Sequence, residues 1–296
     1  MMENKLYNNL RIKIFCRSFD LRLYSLSKGL YETMGFPCVR LTDQSADGYF
    51  YTMLKDTECD IAINVDEDCF VCDPEAILRL VDYVVEHGYA NAGCPDGGLK
   101  GARGQNPIVT NPFFNVFNLK MIREKFSEEA VKKFDYEAHK EELIAAFPKE
   151  VLQCDNYTFG KVGFLEPYYQ FFFWLAYNFK TLYLPSQKHT DKITTELFDL
   201  EGHCLCKHTW FARFYTMPKI MIKLIHGDMQ NQKERIDNII HEVYALRGMT
   251  VPQASFSDNI RFFFDRVVRW MIKIPQRVAN WPRKIKRKLE NRRMGK

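Results

Sequence analysis

Three adjacent carboxylates, Asp66-Glu67-Asp68, follow directly on the apolar run Asp60 to Val65 (DIAINV). Crowding three acids is unfavourable unless something positive joins them. A divalent cation does this well, since hard oxygen ligands suit Mg²⁺ or Mn²⁺. Such a cation bridges the oxygens of a diphosphate and stabilises it as a leaving group. A bare D-x-D is common, so a solvated acidic turn explains the triplet alone equally well.

The elements around the triplet narrow its meaning. Arg11–Cys16, Cys38–Leu41 and Asp60–Val65 are β-rich runs, the third apolar enough for the centre of a sheet. Leu21–Met34 between the first two is a helix, ended by Gly35 and Pro37. Tyr49–Lys55 has room for one or two helical turns. Pro74 opens a helix over Glu75–His87, with Ile77, Leu80, Val81 and Val84 at helical spacing. Further on come a strand ending at Cys94, a glycine-rich loop over Pro95–Pro107 and a strand over Pro112–Leu119. A polar helix over Ser127–Ala146 follows; Val162–Leu165 then leads into Pro167 and an aromatic helix over Tyr168–Phe179, with a further strand over Thr181–Leu184. Asp191–Tyr215 reads as irregular. Alternating strands and helices predict an α/β fold with a mainly parallel sheet. Ligands bind beyond the carboxyl ends of strands in such sheets, which is where the triplet falls.

Three segments together resemble family 2 glycosyltransferases of the GT-A fold: IAINVDED, Asp43-Gln44-Ser45-Ala46-Asp47-Gly48, and Gly163 to Pro185. The resemblance spans roughly residues 10 to 215. It implies a Rossmann-like mixed sheet flanked by helices, and transfer of a sugar from a nucleotide-diphosphate sugar, a UDP-sugar in the first instance. Asp43 would contact the nucleotide base. Asp66 and Asp68 would hold Mn²⁺ or Mg²⁺, Asp68 directly and Asp66 directly, through water or through the ribose. The family's third ligand is often a late histidine. His189, His203 and His208 compete here, and we favour His208. Lys207 and Arg213 flank it as phosphate partners. Arg17-Ser18-Phe19-Asp20 stands where the family has a Pro-x-Tyr-Asn turn, and Arg17 joins the donor-binding residues. Glu166 matches an acid of the pair that opens the aromatic helix, although Pro167 replaces the second acid. Its implied role is the base of an inverting transfer to a glycan or lipid-linked acceptor, in cell-surface polysaccharide synthesis. A helix-start acid before proline is also favourable for the helix alone.

The chain of 296 residues, 46% apolar and 15% aromatic, is globular in composition. Its start is polar, so no secretory signal is expected. Nine cysteines without such a signal read as free thiols. The pairs Cys69/Cys72 and Cys204/Cys206 leave a structural zinc site as the lesser alternative. The longest apolar stretch, Tyr168–Leu184, is broken by Gln170, Asn178 and Lys180, so no membrane span is expected. The net charge of +5 hides an asymmetry. Residues 261–296 hold thirteen Lys/Arg against two Asp/Glu, leaving a mildly acidic body. Ile260, Phe263, Phe264, Val267, Val268, Met271 and Ile274 repeat at helical spacing, with Arg261, Asp265, Arg266, Arg269 and Lys273 mostly opposite. Such a basic amphipathic helix fits a membrane surface, and no nucleic-acid module accompanies it. The expected organisation is a catalytic domain over 1–216, a helical connector over 217–257 and the basic tail over 258–296. The enzyme would lie on the cytoplasmic face of a membrane.

Two other functions use the same features. Aspartyl-phosphate phosphatases also place D-x-D after a strand, as nucleophile and acid. They expect Thr or Val where Phe70 stands, and put the motif on the first strand. A non-catalytic membrane scaffold would need only the tail.

Overall fold

The computed structural model describes residues 6–44, 48–96, 106–152, 157–159, 166–217, 223, 231–269 and 271–272. The segment 162–165, residues 45–47 of the Asp43 turn, most of the glycine-rich loop and the tail beyond 272 lie outside them.

The central sheet is built from β1 (Leu6–Tyr7), β2 (Leu10–Arg17), β3 (Cys38–Leu41), β4 (Ile61–Val65), β6 (Tyr89–Gly93), β7 (Phe114–Asn118) and β8 (Lys180–Tyr183). A smaller sheet holds β5 (Cys69–Val71), β9 (Ser186–Lys188), β10 (Thr195–Phe198) and β11 (Cys204–His208). In the central sheet β3 and β4 run parallel to β2 on either side of it. β7 is antiparallel to both β4 and β6, and β8 is parallel to β6. The main strands therefore share one direction except β7, and the predicted α/β class and mainly parallel sheet are found.

The sheet separates two cores, because side chains alternate between its faces. Ile12, Ile14, Ile61, Ile63 and Val65 face one core with α1 (Leu21–Tyr31), α3 (Pro74–Glu86) and α8 (Gln232–Leu246). Phe15, Ala62 and Phe117 face the other with α2 (Gly48–Lys55), α4 (Leu119–Arg123) and α7 (Tyr169–Asn178). α7 is held there by rings. Phe171 and Phe172 pack on Phe50 with centroids 5.3 and 5.1 Å apart. α8 contributes Ile236, Ile239, Ile240, Val243 and Tyr244 to the first core.

Two expectations are corrected. Ser127–Ala146 is two helices, α5 (Glu128–Lys133) and α6 (Tyr136–Ala146), because Asp135 starts a new one by accepting from the Glu137 N–H. Asp191–Tyr215 is not irregular but contains β10 and β11. The cysteines on β5 and β11 are free thiols, with Cys69, Cys72 and Cys206 buried and Cys204 partly so. Among the described residues these pairs do not gather into a metal-binding trio. No described helix is long and apolar enough to cross a membrane.

Candidate active site

The triplet is the turn by which the chain leaves the central sheet for the small one. β4 ends at Val65 and β5 begins at Cys69. The Asp66 N–H donates to Phe113 O at 2.8 Å, and the Cys69 N–H to Asp66 O at 3.0 Å. β11 lies antiparallel beside β5 with His208 opposite Cys69. The Thr209 N–H extends that pairing to Asp68 O at 2.9 Å. This register brings His208 Nε2 to 3.4 Å from Asp68 Oδ1. Phe113 stacks on the imidazole at 4.3 Å and fixes its plane.

The three acids have three roles. Asp68 faces His208. Asp66 turns the other way, with Oδ2 3.5 Å from Arg17 Nη2. The Arg17 guanidinium packs near the rings of Tyr49 and Phe19, at 5.1 and 5.6 Å. Glu67 points inward. Its Oε2 accepts from Ser18 Oγ, the Phe19 N–H and the Asp20 N–H at 2.9, 2.8 and 2.7 Å. It pins the turn after β2, where Asp20 caps α1. This structural use of the middle acid had no signal in the sequence.

Burial pushes Asp66 up to about 6, against the pull of Arg17, and Glu67 up to about 8. Burial also opposes ionisation of Asp68, but His208 together with the backbone N–H groups of Asp68 and Ala212 holds it below the usual carboxylate range. Asp66 Oδ1, Arg17 Nε and His208 Nδ1 are buried and have no hydrogen-bond partner among the described residues. Asp68 and His208 face each other closely enough to share a divalent cation, while Asp66 is turned to Arg17, and among the described residues the three do not form a close trio of ligand atoms.

The raised carboxyls have a measurable consequence. Asp66 and Glu67 bind protons more tightly folded than unfolded, so their contribution to stability is lost as pH rises toward about 6 and 8. In EDTA the melting temperature is expected to fall between pH 5 and 8. The fall should be shallower in Asp66→Asn. Identical slopes in variant and wild type would exclude Asp66 as a source.

The other sequence-derived residues are placed as follows. Lys207 faces away from His208, as neighbours on a strand must. It is buried between Glu196 and Glu242, each 2.6 Å away, and so is not turned to a phosphate at the triplet. His189 pairs with Glu242 at 3.1 Å, also apart from the triplet. His203 lies in the β10–β11 turn, 2.9 Å from Asp199. Five residues of strand separate it from His208, about 16 Å. With Asp199 and Glu201 it forms a close trio, whose Asp199 Oδ1 is occupied by the Glu201 and His203 N–H groups. Arg213 is exposed, in a 3-10 turn over Ala212–Phe214. The neighbouring Ala212 N–H supports Asp68.

Glu166 stands just before α7, its carbonyl accepting from the Tyr169 N–H at 3.0 Å. Tyr168, not Glu166, occupies the cap position. Tyr168 is close enough to Arg17 to act on its charge, so the start of α7 adjoins the triplet. Asp96 fastens that start to the end of β6: its Oδ2 accepts from Tyr168 and Tyr169 hydroxyls at 3.1 and 2.9 Å. Asp43 lies after β3 with a left-handed φ of 58°.

The support of the turn after β11 escaped the sequence reading. Trp210 and Phe211 are both left-handed, with φ of 60° and 61°. Non-glycine residues stay there only when their surroundings hold them. Arg235 of α8 does so by donating to the carbonyls of Thr209 and Trp210. A cleft of about 530 Å³ lies elsewhere, lined by Ala176–Lys180 and Leu143 at the far end of α7.

No family model matches the chain, and no curated protein matches it in sequence. Three solved structures are similar in chain layout. A197 from STIV is 14% identical, with 66% of this chain and 93% of that one covered and a TM-score of 0.37. The mannosyltransferase PcManGT from Pyrobaculum calidifontis, in complex with GDP-Man and Mn²⁺, is 8% identical over 39% of this chain and 46% of its own, TM-score 0.30. The galactosyltransferase LgtC, with donor and acceptor sugar analogs, is 15% identical over 58% and 72%, TM-score 0.29. The order β3-β2-β4-β7-β6-β8, one strand reversed and helices on both faces, is the mixed sheet that the sequence resemblance implied. The fold is a mixed, mainly parallel α/β sheet with helices on both faces. In that frame the triplet sits beyond the carboxyl end of the inner strand β4, with the turn after β2 beside it and the turn after β3 one strand further along.

Proposed function

We propose that the chain is a metal-dependent, inverting glycosyltransferase. It moves a hexosyl or N-acetylhexosaminyl group from a nucleotide-diphosphate sugar, a UDP-sugar in the first instance, to a glycan or lipid-linked acceptor in cell-surface polysaccharide synthesis. The observation that carries the reading is the pairing of Asp68 with His208 across β5 and β11, beside a partly buried Arg17–Asp66 pair.

Asp68 and His208, with Asp66 directly or through water, would hold Mn²⁺ or Mg²⁺. The ion supplies positive charge to the diphosphate oxygens of the donor. Arg17 adds a fixed cation on the side of Asp66, in a site dry enough for charge to act strongly. Asp43 takes the nucleoside end. The acceptor hydroxyl oxygen attacks the anomeric carbon, Glu166 takes its proton, and the nucleoside diphosphate leaves with the bonding electron pair. A positioned base contributes about 10²–10⁴ in rate. Glu166→Gln should therefore bind the donor normally and lose at least about a hundredfold in transfer. Undiminished turnover would remove Glu166 from the mechanism. The test of the whole reading is a thermal-shift screen of nucleotide sugars with and without Mn²⁺, since a ligand of the folded state raises its stability.

The same proposal places the enzyme on the cytoplasmic face of a membrane, through its C-terminal helix (256–269). Its support is an inverted packing. The charged face turns inward, where Asp265 meets Arg40 and Arg269 meets Asp43. Large apolar residues turn outward: Phe256 is 83% exposed, Phe263 59% and Phe264 60%. An apolar face left in water beside a basic tail suits an anionic lipid surface.

A further inference from the structure

The inward face of the C-terminal helix has a second significance, which rests on the donor-site reading of Asp43. Asp43 holds a backbone conformation that side chains other than glycine, Asn and Asp adopt rarely. Its Oδ2 accepts from Arg269 Nη1 at 2.7 Å. Its Oδ1 has no hydrogen-bond partner among the described residues. Arg269 is itself fixed by a fork onto Asp265, through Nε at 2.9 Å and Nη2 at 3.0 Å. Asp265 receives a second fork from Arg40 of β3, at 3.0 and 3.2 Å. Arg40 Nε then donates to Ser18 Oγ at 3.0 Å, and Ser18 donates to Glu67 at 2.9 Å. The line Asp43–Arg269–Asp265–Arg40–Ser18–Glu67 thus runs unbroken from the turn after β3 to the middle of the acid triplet.

Its chemistry is that of a scaffold. The charges alternate along Asp43, Arg269, Asp265 and Arg40, so no cation is left over to draw a ligand. All four side chains are between 12% and 23% exposed, shielded enough for their forks to be directional. A second link, Arg266 to Asp20 at 3.9 Å, ties the same helix to the turn after β2. The turn after β2 touches the triplet through Glu67, and the turn after β3 lies one strand further along the same sheet end. An Asp43 carboxylate free to rotate has no reason to present one oxygen in a fixed direction; one held by Arg269 does.

We propose that Arg269 is a positioning residue of the nucleotide subsite: it holds one oxygen of Asp43 so that the other is presented to the nucleotide base. The C-terminal helix is then a wall of the donor site as well as a tail.

Isothermal titration of the full chain tests this, with UDP and with GDP, each with MnCl₂, and with inorganic pyrophosphate and MnCl₂ as a ligand lacking a base. Arg269→Ala should weaken the nucleotide that wild type binds by tenfold or more and leave pyrophosphate binding within twofold. Arg269→Lys keeps the charge but not the fork, and should fall between. Adding Asp43→Asn to Arg269→Ala should weaken binding little further, because the two act as one unit. Wild-type nucleotide affinity in Arg269→Ala overturns the proposal. So does tighter binding, which would make Arg269 a competitor for Asp43. Equal loss of nucleotide and pyrophosphate also overturns it, showing general damage. If wild type binds neither UDP nor GDP with Mn²⁺, the donor-site reading itself fails and this inference with it.

Discussion

Asp68→Ala is expected to abolish the stabilisation that nucleotide and Mn²⁺ together confer, and to leave the unliganded protein folded. A ligand at a hundred times its Kd stabilises by about 2.7 kcal/mol. For a chain of this size that is a rise of about 5 °C in melting temperature. The variant should show none of it. Asp68 is suited to the experiment because its carbonyl, not its carboxylate, carries the backbone pairing to Thr209. Removing the carboxylate deprives His208 of a partner, which costs about 1 kcal/mol, but also relieves the like charge on Asp66. Glu67 makes the contrast. Its carboxylate takes three buried donors, and leaving them unsatisfied costs about 1–3 kcal/mol for the first alone. Glu67→Ala should therefore lower the melting temperature before any ligand is added. Neighbouring acids would thus separate into a ligand-binding and a structural residue. A Mn²⁺-dependent shift that survives in Asp68→Ala would disprove the metal site as drawn.

That separation marks where sequence reasoning stopped. β4 was legible because Ile61, Ala62, Ile63 and Val65 put apolar side chains on both faces and so need burial on both sides, and their carboxyl end located the triplet. α3 was legible from Pro74 and its 3.6-residue repeat. The small sheet was not. Its strands are three to five residues long, and β5 pairs with β11 across more than 130 residues, which no local pattern records. With β11 unseen, Lys207 and His208 looked like joint neighbours of a phosphate and a metal. Strand alternation allows only one of them to face the triplet. The resemblance joined Asp68 and His208 only by analogy; the register of β5 on β11 is what brings the two side chains face to face. Arg235 and the Arg40–Asp265 forks were invisible for the same reason, since their partners lie 25 and 225 residues away. Glu67 carried no role of its own in the sequence, and only the fold shows that its side chain turns back to the loop after β2.

The second large effect is expected at the lipid surface. Phe263→Glu/Phe264→Glu should cut binding to phosphatidylserine-containing vesicles by about a hundredfold. Full burial of a phenylalanine side chain contributes about 1.5–3 kcal/mol. These two rings are already more than half exposed, so most of that contribution is still available to a bilayer. Losing part of it twice removes about 3 kcal/mol, and the new glutamates add repulsion from an anionic leaflet. Folding should be little affected, because neither side chain touches the inward ion pairs of Arg40, Asp43, Asp265 and Arg269. The basic residues supply the other half of the attraction, at about 1 kcal/mol for each Lys or Arg near the surface. Wild-type binding should therefore weaken with salt and be poor on phosphatidylcholine alone, whereas the double variant should bind neither surface well. Vesicle sedimentation with wild type and variant reads all of this directly. Equal sedimentation of the two would place the contact elsewhere in the chain. A concentration-dependent dimer in wild type, lost in the variant and accompanied by no vesicle binding, would assign the apolar face to a second copy of the protein. Vesicle binding by a monomer, lost in the variant while Mn²⁺-dependent nucleotide binding persists, would show that one helix serves both ends of the reaction. Its outer face would meet the lipid, and its inner face would stay fixed against the donor.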